Sequence, residues 1–264
     1  MQQLKIESIR TWVFLAGLLV FLLLELTIPY RKPTVSKLKR WMINIGLSAF
    51  NSLILNLVFA SAIIQTARYV SGKKLGVLNL IEMPFWAKTL VTLIFMDFML
   101  YVWHLLNHEM PFLWRFHRVH HTDLNMDVSS ATRFHIGELA ISAVIKISLI
   151  FFLGADPSGV VVFETLLVLS AQFHHSSLTV PVWFEKIFRV LFVPPSMHRI
   201  HHSVVIKERD SNYGTFFSIW DRALGTLVSG VDQQRIRIGV GGHHRPENLN
   251  LHHLLVMPFT PPVK

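Results

Sequence analysis

Five stretches with almost no charge, each close to the length a lipid bilayer demands, constrain the fold of this chain more than any other feature. They cover residues 11–28, 41–66, 90–106, 136–153 and 159–173. In hydrocarbon every backbone N–H and C=O has to be paired internally, so such stretches become helices. The first, with Glu25 as its only charge, would span roughly 27 Å. It is long for a secretory leader, and Pro29-Tyr30-Arg31-Lys32 follows it in place of a small-residue cleavage site, which predicts a retained helix. The second has no charge; the third holds Asp97 and His104, the fourth Glu138 and Lys146, the fifth Glu164. Gly154-Ala155-Asp156-Pro157-Ser158 is a turn signal that makes the last two a helical hairpin. Beyond Phe173 the apolar stretches are short. Residues 183–192 mix aromatics with charges in the manner of a helix lying in the membrane interface.

Composition narrows the class further. Hydrophobic residues make up 52% and charged residues 16%, against about 25% charged in soluble domains. A disordered chain is excluded, and a wholly soluble globule is disfavoured. With no cysteine there is no disulfide framework, thiolate metal site, Cys nucleophile or iron–sulfur cluster. The net charge of +9 comes from dispersed Lys and Arg, which argues against nucleic acid and for loops facing anionic lipid. Arg31, Lys32, Lys37, Lys39 and Arg40 lie between the first two stretches, whereas the turn at 154–158 has no Lys or Arg. That asymmetry predicts a cytoplasmic first loop, an external hairpin turn and a cytoplasmic C-terminal third. Arg68, Lys73, Lys74 and Lys88 run against the rule on the outer side. The short loops and the lack of a C-terminal dilysine signal point to a bacterial inner membrane.

Fifteen histidines stand out, and their spacing matters more than their number. His104 and His108 are four apart, and His117, His120 and His121 follow. His174 and His175 end the fifth stretch; His198, His201 and His202 lie in the C-terminal third. On a helix, residues three and four apart share a face, so each group can aim imidazoles at one point. Neutral imidazole suits iron, zinc, copper and nickel. Ten imidazoles exceed what one metal can hold and would serve two metals at four or five ligands each. With the orientation above, all four groups fall at the cytoplasmic ends of their helices. The fold expected is therefore an all-α integral membrane protein with four or five transmembrane helices and a cytosolic helical cap holding a dimetal site. Residues 1–89 would form N-terminal helices and loops, 90–230 the catalytic domain, and 231–264 a tail. His135, His243, His244, His252 and His253 read as exposed, interfacial or supporting residues rather than ligands. Bound histidines pass their other N–H to a carboxylate or carbonyl; Asp97, Asp123, Asp127, His135, Glu138, Asn212 and Asp221 are candidates for that support.

These groups resemble the histidine boxes of the fatty acid hydroxylase/sterol desaturase superfamily. The surroundings match too: Trp114-Arg115-Phe116-His117-Arg118-Val119-His120-His121, Arg133-Phe134-His135, Phe173-His174-His175-Ser176 and Met197-His198-Arg199-Ile200-His201-His202-Ser203. Asn212-Tyr213-Gly214-Thr215 and Trp220-Asp221-Arg222 complete a resemblance running over residues 90–230. It implies a membrane-bound oxygenase with two iron ions that uses O2 to hydroxylate or desaturate a sterol, fatty acyl chain or related lipid. No catalytic side chain separate from the metal ligands is implied. Zinc, which has no redox chemistry, could occupy the same all-nitrogen site in a purified sample. No haem-binding His-Pro-Gly-Gly stretch is present, so electrons would come from an external cytochrome b5-, ferredoxin- or reductase-type protein. Two positions depart from the family pattern: Ile136 stands where many members have Pro, and Ser170 where some carry a further His.

A membrane metal-binding or metal-transport protein is the alternative. A transporter should place polar residues near the midplane on broken helices, whereas the histidines here gather at one face. A bis-His haem cytochrome would need single facing histidines rather than tripled boxes. Metal content and the presence or absence of a Soret band separate the three.

Overall fold

The computed structural model describes residues 2–59 and 62–261. The described residues form helices and loops, with isolated β-bridges but no named strand. The long helices are α1 (Gln2–Thr27), α2 (Lys37–Phe59), α4 (Phe85–Glu109), α6 (Ile136–Leu153) and α7 (Pro157–His175); α3 (Ala62–Gly72) and α5 (Pro111–His121) are shorter. Five small helices follow: α8 (Val182–Phe188), α9 (Pro195–His201), α10 (Ile206–Arg209), α11 (Ile219–Ala223) and α12 (Leu251–Val256). Among the described residues, three helices are long and apolar enough to cross a membrane: Ile9–Thr27, Phe85–Glu109 and Ile136–Leu153. The stretch expected as one helix over 41–66 is described as α2 and α3, and residues 60–61 between them lie outside the described residues. α2 opens with Lys37, Lys39 and Arg40, and α7 carries Glu164, Gln172 and two histidines, which lowers the hydropathy of both.

α7 is the central helix and packs against α1, α3 and α4, while α3 also packs on α6. Ile64, Ala67, Val70, Met96, Ile150, Val160 and Phe163 form one apolar core among these helices. The α6–α7 hairpin forms as its turn signal predicts. Gly154 takes the left-handed conformation at φ 76°. Asp156 then caps α7 by accepting from Ser158 N at 2.8 Å and Gly159 N at 3.2 Å, with Pro157 in the first turn. The loop before α4 lies directly on this turn: a Cβ on Gly154 would sit 2.4 Å from Leu75 O. Deep between helices, Glu164 accepts from both Arg10 of α1 and Lys146 of α6. An acid at that depth is costly unless paired, and this pairing fixes three helices to one another.

The opposite end of the bundle is polar. Arg40 of α2 binds Asp123 (2.5 and 2.8 Å), Asp127 (2.7 Å) and Asn125 O, and Asn44 binds Asp123 and Ser129 at 3.0 Å. Burial would raise the Asp123 carboxyl, but the Arg40 guanidinium holds it well below the usual carboxylate range. Burial also pushes Arg133, which donates to Val119 O, Asn44 and Thr122, down to about 10. Glu25 at the end of α1 accepts from Val128 N (2.7 Å), Ser177 N (2.8 Å) and Lys37 (2.6 Å). This network, with the backbone pairing of Tyr30 N to Ser177 O and Thr179 N to Ile28 O, brings the ends of α1 and α7 together. The tail 251–261 closes over α5, where buried Arg118 donates to Pro261 O (2.8 Å), Thr260 O (3.0 Å) and Met257 O.

Candidate metal centre

Histidines from α4, α5, α7 and α9 meet at this polar end. Pro111 stops α4 and restarts the chain as α5, since proline lacks the N–H a continuing helix needs. α5 therefore folds back so that His117 and His121 face His104 and His108; the four rings have centroids 4.8–5.4 Å apart in the contacts His104–His108, His108–His121 and His104–His117. Two groups form, each with ligand atoms within 4.8 Å of one another. One contains His104, His108, His117, His121 and His201; the other contains His120, His175, His198 and His202. The two abut, with the rings of His121 and His202 stacked at 4.4 Å.

Helical geometry explains the division. At about 100° per residue, positions i and i+4 lie some 40° apart around the axis, while i+3 falls on the other side of i. So His117 and His121 enter one cluster and His120 the other; His198 and His202 enter the second and His201 the first. Each box completes its partner's cluster. The adjacent pair at the end of α7 splits in a similar way. His175 joins the four-histidine cluster, whereas His174 stacks beside it, 3.9 Å from the His198 ring, and bonds the Thr215 backbone.

Outer hydrogen bonds set the ring tautomers. The Nδ1 atoms of His104, His120, His175 and His201 lie 2.8, 3.2, 2.7 and 2.7 Å from the carbonyls of Tyr213, Arg133, Ala171 and Ser211. A carbonyl only accepts, so each Nδ1 carries the proton and each Nε2 presents a lone pair. His117 and His108 direct Nδ1 at Glu138 (2.8 Å) and Asp210 (3.2 Å). The Nε2 atoms of His120 and His175 then stand 3.1 Å apart with no proton between them. His175–His198 and His198–His202 repeat the distance at 3.1 Å, and His117–His121 at 3.2 Å. The Nε2 atoms of His108 and His201 are buried without any partner. The facing lone pairs of His120 and His175, and ring nitrogens crowded together while others are orphaned, fit a cation. Charge on the rings themselves is opposed. His120, His121, His198, His201 and His202 are all held well below the ordinary imidazole value, first by burial and then by neighbouring imidazoles. Neutral rings are the form that binds metal.

Among the residues expected to support ligands, Glu138 hydrogen-bonds an imidazole, and the others direct their bonds elsewhere. Asp123 and Asp127 bind Arg40. His135 caps α6 by accepting from Gly137 N at 2.9 Å and faces Leu255 O at 3.1 Å with Nε2. Asn212 ties Met197 O (3.2 Å) to Val228 (3.0 Å to O, 2.9 Å from N). Asp221 holds the backbone of Tyr213 and Gly214, and Asp97 holds Phe216, Phe217 and Trp220. Sequence reasoning missed Asp210 and the four carbonyls. Asp210 carried a signal, being an acid two residues before the Asn212-Tyr213-Gly214 motif; a carbonyl carries none, since every residue has one. His252 and His253 are exposed and lie in neither cluster.

This disposition of histidine boxes at the polar end of a bundle with membrane-length helices defines a class. The family profile described as fatty acid hydroxylase matches residues 89–226, just over half of the chain. The chain belongs to the fatty acid hydroxylase family and, with its apolar helices, is an integral membrane protein. It is 30% identical to an ornithine lipid hydroxylase, OlsE, of Rhizobium tropici, over 61% of this chain and 48% of that protein. It is 26% identical to cholesterol 25-hydroxylase of Rattus norvegicus over 57% of the chain and 50% of the relative. Alkylglycerol monooxygenase of Caenorhabditis elegans is 33% identical over 51% of the chain and 26% of its own length. The chain thus spans about half the length, or less, of these curated relatives. No solved structure matches it.

Proposed function

We propose that this chain is a membrane oxidoreductase that holds two iron ions and hydroxylates a lipid. The observation that carries the reading is the pair of buried imidazole clusters whose Nε2 atoms face one another at 3.1–3.2 Å. In that reading His104, His108, His117, His121 and His201 hold one ion and His120, His175, His198 and His202 the other; His174 packs beside them. Bound iron would supply the O2-derived oxidant that an unactivated C–H bond requires, with two electrons from an external protein donor, the second oxygen atom leaving as water. Zinc is excluded as the working metal because it cannot change oxidation state. The chain's own residues keep the imidazoles neutral, oriented and away from bulk water. Hydroxylation is favoured over desaturation because the relatives are named as hydroxylases and monooxygenases, and their named substrates support a lipid. Residues 90–230 would be the catalytic domain, with 1–89 supplying membrane helices and 231–264 a tail clamped on α5. α2 and α7 would add to the three apolar spans, giving five. The Lys- and Arg-rich α1–α2 loop supports a cytoplasmic histidine end, and the membrane would be a bacterial inner membrane.

The test is elemental analysis of the purified protein together with mass spectrometry of membrane lipids after expression under 18O2. Two irons per chain and a lipid that gains one 18O atom are expected. The label should be lost, and one of the two metal positions weakened, in each of the His201→Ala and His202→Ala variants that still insert. A protein that binds no metal, or one that binds metal yet leaves the lipids unlabelled, refutes the reading.

A further inference from the structure

The two clusters are supported from outside by different parts of the chain. In the five-histidine cluster, His104, His108 and His201 bond to Tyr213 O, Asp210 Oδ1 and Ser211 O, which belong to one short segment. In the four-histidine cluster, His120 and His175 bond to Arg133 O and Ala171 O, neither of them on that segment. Residues 210–213 are not helical, and Asn212 sits at φ 54°, where a side chain is strained.

Two carboxylates hold the segment in place. Asp221 accepts from Tyr213 N (2.7 Å), Gly214 N (2.8 Å) and Thr226 Oγ1 (2.7 Å). Asp97 accepts from Phe216 N (3.3 Å), Phe217 N (3.2 Å) and Trp220 Nε1 (2.8 Å). Asp97 is 1% exposed, midway along a helix apolar enough to span a membrane. An acid there is expensive, and all three of its hydrogen-bond donors follow this segment closely, two on the loop backbone and one from Trp220 at the start of α11. Irregular backbone beside such a helix needs internal partners for its N–H groups, and Asp97 supplies them. It stands two turns before His104 on the same helix. α4 therefore carries both two ligands and the anchor of the segment that orients them.

We propose that Asp97 and Asp221 are positioning residues that hold residues 210–220 as a clasp whose ligand contacts all fall in the five-histidine cluster, so that the two metal positions are secured independently. The proposal rests on the metal-binding reading above. Its test is the rate at which metal leaves the protein, loaded with zinc or ferrous iron, after a colorimetric chelator is added. Outer-shell partners are worth about 10–100-fold in metal affinity. Asp97→Asn and Asp221→Asn should each speed the release of one metal by about that factor and leave the other unchanged. Trp220→Phe removes a single donor, keeps the ring, and should speed the same metal less. Two backgrounds identify which metal responds. In His202→Ala, where the five-histidine cluster holds the remaining metal, Asp97→Asn should accelerate release. In His108→Ala, where the four-histidine cluster holds it, Asp97→Asn should have no effect. Acceleration in both backgrounds, or in neither, overturns the proposal. Should the Asp97 variant lose helix content by circular dichroism, Trp220→Phe in the same backgrounds decides. An unsubstituted protein that takes up no metal would instead sink the reading beneath it.

Discussion

His120 and His121 are neighbours in sequence, yet the structure assigns them to different clusters, so replacing each by Ala should empty different sites. The magnitude follows from ligand number. Binding of about 10–16 kcal/mol for a four-ligand site averages roughly 3 kcal/mol per histidine, which is a loss of about a hundredfold in affinity per ligand removed. His120→Ala leaves three imidazoles of the four in its cluster and also strips Arg133 O of its donor. His121→Ala leaves four of five, as many as the intact second cluster has. His120→Ala should therefore cost its site more than His121→Ala costs the other. The assay is metal per chain after dialysis against a graded series of chelator concentrations. His120→Ala and His202→Ala should each retain one metal, and so should the double variant, because both residues serve one cluster. The double variant His120→Ala/His121→Ala should lose both. If the His120/His202 double variant is emptied completely, or if the His120/His121 double variant retains as much as either single variant, the assignment of alternate histidines to alternate clusters is wrong.

Acid should unfold the metal-free protein by way of the same rings. Since His120, His121, His198, His201 and His202 are held below their ordinary value by burial, the unfolded chain takes up protons first as pH falls through about 6.5. Stability present above that pH is lost below it, by up to about 1.4 kcal/mol per ring between pH 7.5 and 5.5; a urea midpoint that does not move over this range contradicts the burial. Gly154→Ala puts a Cβ 2.4 Å from Leu75 O at a left-handed position and should cost at least about 1–2 kcal/mol, read as a lower melting temperature with metal content unchanged. Glu164→Leu leaves Lys146 and Arg10 without their shared carboxylate and should destabilise by roughly 3 kcal/mol, read in the same melting assay. Arg118→Met removes the donor to the carbonyls of Met257, Thr260 and Pro261; limited proteolysis should then cut within 251–261, where the parent protein resists.

The helices were legible because their signals are local. Apolar runs with few charges marked α1, α4, α6 and α7, and Gly154 with Asp156-Pro157 marked the hairpin, all within a few residues of chain. The histidine boxes were legible as groups for the same reason: spacings of three and four describe one helix face. What lay beyond reach depends on contacts between residues far apart in sequence. Arg40 with Asp123 and Asp127, Glu164 with Arg10 and Lys146, and Arg118 with the tail each join segments whose meeting no local pattern records. The supports of the imidazoles were hidden more deeply, because four of them are backbone carbonyls. Acids were the natural candidates, and one of them serves one step further out: Asp221 binds the N–H of Tyr213, whose carbonyl receives His104.

The division of each box between two clusters has a consequence for assembly. His120 leaves α5 for the cluster built by α7 and α9, while His201 leaves α9 for the cluster built by α4 and α5. Neither cluster reaches its full ligand number until both short helices are docked, so the ligand sets are coupled in folding. Their outer supports are not shared, since one set rests on 210–213 and Glu138 and the other on Arg133 and Ala171. Once folded, the two positions can therefore differ in how tightly and how long they retain a metal, although both are made only of histidine. Three of five ligands bonded to a loop held by two carboxylates, beside two of four bonded to the carbonyls of Arg133 and Ala171, is an asymmetry that ligand identity alone would not produce.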